Sequence, residues 1–202
     1  MSSSTMTVIT QGDRNKPKLD FYEKMMSRLM AGESAQDVFA ECCTDDLVFT
    51  NPEFHVISPD KSLYGLFALE TMSRYYRTDG EGWRHITMKT IWSEETETKL
   101  YRERNFIASE PFHTFGGFEE GERAHDLEVV LRVIEIVTFR EGKVSEIHAV
   151  YDSLGFYYDM AGGDWNLIAK AIKNSQHWWV PQLENIKKGL YPIPDPGKVY
   201  EG

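Results

Sequence analysis

Between Trp83 and Asp152 the chain reads with a period of two. Four runs, Trp83–Trp92, Lys99–Ser109, Glu128–Arg140 and Val144–Asp152, carry the mixture of β-branched, aromatic and alternating polar residues that strands require. Glu141 and Gly142 join the last two as a tight hairpin turn. Before Trp83 the period is helical. Tyr22, Met25, Met26, Leu29 and Met30 line one side of a helix of about four turns, with Asp20, Glu23, Lys24, Ser27 and Arg28 on the other, and Gly32 ends it. Ser34 opens a second helix with Asp37 in capping-box position, and Val38, Phe39 and Cys42 form its apolar side. Thr44-Asp45-Asp46 reads as a break, Leu47–Thr50 as a short strand ended by Asn51-Pro52, and Asp60–Arg77 as a third helix. After the strands, Ser153–Met160 is a helix broken at Gly162-Gly163, and Asp164–Trp179 a further amphipathic one. Helices, a strand, a helix, then an antiparallel meander make an α+β pattern. A curved, mixed but mainly antiparallel sheet wrapped around the N-terminal helices makes a cone, with a C-terminal helical extension added to it.

The boundaries follow. Residues 1–16 are Ser/Thr-rich, lack an apolar run, and read as a disordered tail. Residues 17–160 form the domain and 161–202 the extension packed on it. The segment 110–126, with its three Phe and two His, is long enough to be a lid or a pocket wall. A net charge of −10 with scattered basic residues argues against nucleic acid and anionic lipid as partners. The most apolar stretch, Val129–Val137, is interrupted by Arg132 and Glu135, so no membrane span is expected. Cys42 and Cys43 are adjacent and poorly placed for a bridge, which suits a reducing, cytoplasmic setting. No H-x-x-H, H-E-x-x-H or C-x-x-C spacing offers a metal site; no phosphate-binding glycine loop and no G-x-S-x-G elbow is present. Neither metal nor cofactor is expected.

At Phe139-Arg140-Glu141-Gly142-Lys143-Val144-Ser145-Glu146 and Val150-Tyr151-Asp152-Ser153-Leu154-Gly155 the chain resembles SnoaL-like polyketide cyclases of the nuclear transport factor 2-like superfamily. That family carries an F-R-x-G-K-I-x-E hairpin leading into a strand that ends in D-x-L-G. The segment Thr44–Pro52 is similar to the family's first strand, and the order of elements matches over roughly residues 17–160. The resemblance implies a homodimer formed through the exposed sheet face. It also implies a cofactor-independent isomerase or cyclase, moving protons by acid–base catalysis on an apolar, oxygenated small molecule. A polyketide or terpenoid intermediate of secondary metabolism is of that kind. A dehydratase, an epoxide hydrolase and a non-catalytic binding or dimerisation module are the alternatives on the same fold.

The resemblance aligns Asp152 with the family's acid/base aspartate. His148 stands where the family has Trp before it, and Asn51 where ketosteroid isomerases have their general-base Asp; an amide cannot act as that base. Alternation places His148, Val150 and Asp152 on one face of the last strand. In an apolar pocket Asp152 would be tuned toward general acid/base work, with His148 sharing the proton traffic. Asp152 also suits the N-cap of the helix that follows. Asn51 and Tyr22 are candidates to hydrogen-bond substrate; a turn residue and a packed core phenol are their alternatives. Glu103 and Asn105 share a strand face, with Arg132 as a partner for them, and either line the pocket or the solvated outside. Trp92 completes the candidate substrate-binding set.

Overall fold

The computed structural model describes residues 7–10, 16–52, 62–76, 83–111, 128–170 and 173. Seven strands form one mixed sheet: β1 (Thr7–Thr10), β2 (Cys43–Thr50), β3 (Ser62–Tyr64), β4 (Trp83–Glu95), β5 (Lys99–Pro111), β6 (Glu128–Arg140) and β7 (Lys143–Val150). Their spatial order is β1-β4-β5-β6-β7-β2-β3. The β4–β5–β6–β7 meander is antiparallel, whereas β2 joins β7 and β1 joins β4 in parallel. Four helices accompany the sheet: α1 (Pro17–Met30), α2 (Ala35–Cys42), α3 (Gly65–Tyr76) and α4 (Ser153–Met160). Residues 165–170 are helical as well. The architecture is the expected α+β arrangement of a curved sheet and N-terminal helices.

Helix α1 begins at Pro17, whose missing N–H costs nothing at a first-turn position. Lys16 provides no side-chain cap; the backbone N–H of Leu19 donates instead to Glu95 Oε1 at 2.8 Å, from the far end of β4. One orphan donor of the first turn is thereby satisfied by the sheet, and the helix is held to it. The buried stripe is Leu19, Tyr22, Met25, Met26, Leu29 and Met30, which extends the expected one by a turn. The β6–β7 turn takes positive φ at Glu141 (54°) and Gly142 (78°), the geometry that fits the twist of a two-residue hairpin.

Four local expectations need correction. Ser34 stands at the N-cap of α2 but makes no side-chain cap bond, so the capping box is not formed. Thr44-Asp45-Asp46 is not a break: β2 starts directly at Cys43, and a register shift against β7 between Cys43 and Val48 absorbs these residues. The third helix starts at Gly65, because Ser62–Tyr64 pair with β2 and satisfy its outer edge. Within the expected tail, Thr7–Thr10 form a strand along β4, from Thr7 opposite Thr87 to Thr10 opposite Thr90. The loop at 112–127 and the segment 174–202, with the expected end of the last helix, lie outside the described residues.

Register and burial divide the sheet into two faces. Inward, Leu100, Val137, Ile147 and Phe49 stand side by side across β5, β6, β7 and β2, all buried. One level further along, the row is Ser93, Arg102, Glu135 and Ala149. Next come Thr90, Arg104 and Val133, then Met88, Phe106 and Leu131. A charged layer is thus held between apolar layers. A β-bulge in β4 shapes it: Thr90 pairs with Arg104 and Trp92 with Glu103, leaving Ile91 as the extra residue. The bulge lets both Thr90 and Ser93, three apart, be buried on the inner side.

Candidate active site

The inner charged layer is a single hydrogen-bonded network. Glu135 on β6 takes two parallel bonds from Arg104 on β5, Nε to Oε2 at 2.9 Å and Nη2 to Oε1 at 2.9 Å. Arg102, two residues back on the same strand face, donates Nη1 to Oε2 at 3.4 Å. The phenol of Tyr22, on α1, donates to Oε1 at 3.4 Å. Arg102 is itself aimed by Thr90 and Glu23: its Nε donates to Thr90 Oγ1 (2.9 Å), its Nη2 to Glu23 Oε1 (3.2 Å), and Thr90 Oγ1 donates to the same carboxylate oxygen (2.7 Å). The Arg102 guanidinium lies 5.7 Å from the centre of the Tyr22 ring, and that of Arg104 6.0 Å from Phe106. The side chains of Arg102, Arg104 and Glu135 are each 2% exposed.

Two guanidiniums face two carboxylates, so the cluster is neutral as a whole. Burial alone would push the Glu135 carboxyl up. The charges of Arg104 and Arg102, with hydrogen bonds from Arg104 and Tyr22, outweigh burial and hold it below the usual glutamate value. Glu135 is therefore an anion at neutral pH, set in a low-dielectric layer beside a phenol and fixed positive charge. Such an arrangement can orient a hydroxyl and stabilise negative charge that develops on a bound molecule, and Glu135 becomes a stronger base where a bound molecule displaces Arg102 or Tyr22 from it.

The sequence candidates divide between the two faces. Tyr22 is fully buried in the network. Asn51 is buried too, continuing the inward sequence Leu47, Phe49 at the end of β2. β2 ends at Thr50, opposite His148 on β7, one residue before Asn51. Glu103, Asn105, Arg132 and Trp92 belong to the outer face. There Arg132 Nε donates to Glu103 Oε1 at 2.6 Å, Asn105 pairs in register with Arg132, and Trp92 is 50% exposed. Arg132 and Glu103 thus pair on the side away from the core.

His148 and Asp152 are also away from the network. His148 is half-buried on the outer face, between Ile136 and Thr50 in register. The last strand stops at Val150, two residues short of the expected end, so its alternation does not carry to Asp152. Asp152 is exposed and caps α4, accepting the Gly155 N–H at 2.8 Å. Gly155 makes that bond possible, since a Cβ there would sit 2.5 Å from Asp152 Oδ2. The D-x-L-G pattern is, in this chain, a helix cap with the glycine it needs.

Arg102, Arg104, Glu135, Glu23 and Thr90 escaped the sequence reading. A signal for them existed. Glu135 shares its alternation with Val133 and Val137, and Arg102 and Arg104 share theirs with Leu100 and Phe106. On β6 that face, with Leu131, Val133, Val137 and Phe139, is the more apolar of the two, and a charge buried there needs partners, which the less decided β5 supplies.

No family model matches the chain, and no curated protein matches it by sequence. Solved structures do match. A candidate SnoaL-like polyketide cyclase from Jannaschia sp. CCS1 superimposes with a TM-score of 0.54 at 12% identity, over 74% of this chain and 98% of that one. The fold is SnoaL-like. A candidate isomerase from Rhodopseudomonas palustris (TM-score 0.51, 11% identity, 74% and 99% covered) has it too. So does AclR, a candidate hydroxylase from Streptomyces galilaeus (0.52, 12%, 72% and 96%). Identities this low carry the SnoaL-like fold and leave the chemistry to the site. Among the described residues no helix is long and apolar enough to cross a membrane, and no group of three or more His, Cys, Asp or Glu is placed to hold a metal ion.

Proposed function

We propose that the chain is a cofactor-independent acid–base enzyme, an isomerase or cyclase acting on an apolar, oxygenated small molecule held against the inner face of the sheet. A polyketide or terpenoid intermediate has the required character. One observation carries this: a carboxylate, two guanidiniums and a phenol are buried together in a mainly apolar core. Stability does not account for them, because replacing a buried ion pair by packed apolar side chains is often neutral or favourable. Glu135 takes the role that the resemblance implies for Asp152. It accepts a proton from a carbon beside a carbonyl and returns it elsewhere on the same molecule. Tyr22 and the arginines stabilise the enolate oxygen in between. The two longest contacts of Glu135, to Tyr22 and Arg102, are those a substrate group can replace.

The test is deuterium uptake from heavy water into neutral polycyclic ketones, without added cofactor. Native protein should exchange the proton beside the carbonyl. Glu135→Gln should lose about 100-fold or more in rate, and Asp152→Asn should stay close to native. The reverse pattern returns the role to Asp152. A non-catalytic binding module is favoured by one fact: Arg104, Arg102 and Tyr22 already supply four donors to the Glu135 oxygens. Binding without any exchange would select it. Water-assisted dehydration or epoxide opening is the other alternative, favoured by the burial of a second polar side chain, Asn51, at the end of β2; release of water or of a diol would identify it.

We also propose a homodimer through the outer face, where Trp92, Ile134 and Val150 form a row across β4, β6 and β7, each about half exposed. Sedimentation should give a dimer that Ile134→Arg dissociates; a native monomer removes this proposal. The free, buried Cys42 and Cys43 fit a reducing cytoplasmic setting, which fractionation of the source cells would test.

A further inference from the structure

The two edges of the sheet are closed in different ways. One ends in β3, three residues long and too short to template another strand. The other ends in β1, which is also short, but the strand beneath it is long. β4 runs for 13 residues, and β1 pairs with four of its positions, Thr87–Thr90. Among the described residues no other strand lies on that side of β4. The β4 sequence, Trp83-Arg84-His85-Ile86-Thr87-Met88-Lys89-Thr90-Ile91-Trp92, is rich in β-branched and aromatic residues, and Ile91 at the bulge is 42% exposed. A long strand of that composition with open N–H and C=O groups is a template for a further strand.

What stands over this edge comes from one stretch near the N-terminus. β1 covers Thr87–Thr90. Lys16 Nζ donates to the Ser93 carbonyl at 2.5 Å and to Ser93 Oγ at 3.0 Å, and the Leu19 amide donates to Glu95. Thr10 lies opposite Thr90, three residues from Ser93, or about 10 Å along the strand. The six residue steps from Thr10 to Lys16 reach about 20 Å at full extension, so the chain has length to spare between the two anchors. Four parallel pairs are a weak hold, and the spare length lets them part without pulling on α1.

We propose that β1 is a releasable strap that keeps the β4 edge closed, and that the partner it holds off is the β4 edge of a second copy of this chain. Antiparallel pairing of β4 with itself about a two-fold axis closes both open edges at once. Once Lys16 has left Ser93, it also sets the Arg84-His85 end of one strand against the Glu94-Glu95 end of the other, so opposite charges meet. This edge is separate from the outer-face row of Trp92, Ile134 and Val150, and the proposal needs neither that contact nor any catalysis.

Sedimentation velocity of full-length chains tests it. Val8→Pro together with Ile9→Pro removes the β1 donor whichever of the two faces β4. That variant should double the mass of the native particle as concentration rises, while unfolding in urea close to the native midpoint. Adding Arg84→Glu should abolish the doubling, since like charges then meet. A cross-link holds the strap shut: Thr7 and Thr87 are register partners, so Thr7→Cys with Thr87→Cys should oxidise to a disulfide. The oxidised protein should keep the native mass. Its amides at Thr87–Thr90 should exchange with heavy water about 10-fold or more slowly than those of the native chain, a reading that needs no destabilised variant. A folded proline variant that keeps the native mass, doubling that persists with Arg84→Glu, failure of the disulfide to form, or exchange unchanged by it each overturns the proposal.

Discussion

Strands β5 and β6 carry ion pairs on both faces, built from near neighbours in sequence. Inside, Arg104 grips Glu135 at 2.9 Å. Outside, Arg132 meets Glu103 at 2.6 Å, with its own side chain 71% exposed. The shorter contact is the weaker one in energetic terms. Water screens the outer pair and its loss changes little. The inner pair has surrendered its hydration, so each member depends on the other, and removing one strands a charge in the core. Burial, more than distance, decides what a charge pair does for the molecule.

The contrast can be broken in graded steps. Glu135→Ala should be the most damaging change, with about 3–5 kcal/mol lost in urea unfolding, since Arg104 loses the carboxylate that grips it and Arg102 loses one of its two. Replacing the network together, with Arg102→Met, Arg104→Met, Glu135→Leu and Glu23→Gln, sharpens the point. This variant should recover most of that loss while failing to bind ligand. Low stability in the combined variant would make the network a structural device after all. Acid comes next. The Glu135 carboxyl is lowered in the folded state, so its contribution is complete above the unfolded value of about 4.3 and is lost as pH falls through the lower folded value. Arginine keeps its charge throughout, so no matching loss occurs at high pH. Stability measured from neutral pH downward should fall less steeply in the apolar variant than in the native chain. Asp152→Ala removes a helix cap and should cost about 1 kcal/mol in the same unfolding assay. Glu103→Gln should leave the unfolding midpoint where it is, at any salt concentration.

The elements were legible where periodicity was strong. The α1 stripe, the β6 span and the Glu141-Gly142 turn need no tertiary information, because each is set by local spacing or by backbone preference. The start of α3 and the extent of β2 were not legible, since pairing between them decides which residues are strand. The site was half legible for a related reason. Alternation splits β5 into Leu100, Arg102, Arg104, Phe106 and Tyr101, Glu103, Asn105, Ile107, and both sets mix charge with apolar surface. Sequence shows two faces without showing which one the helices cover. Tyr22 and Asn51 both lie on the core side, Tyr22 within the apolar stripe of α1 and Asn51 where the first strand ends. Asp152 was misplaced onto a strand that ends at Val150, where the chain turns to start α4.

The links from α1 to the sheet join residues far apart in the chain. Tyr22 reaches Glu135 across 113 positions, Glu23 reaches Arg102 across 79, and the Leu19 amide reaches Glu95 across 76. Contacts of such long range form late, after the entropy of closing the intervening loops has been met. Until the meander is assembled, Arg102, Arg104 and Glu135 remain hydrated, and a helix docked in the wrong register would bury them without partners. The network thus acts during folding as a check on the docking of α1: the chain can close over its charges when every one of them has found its counterpart.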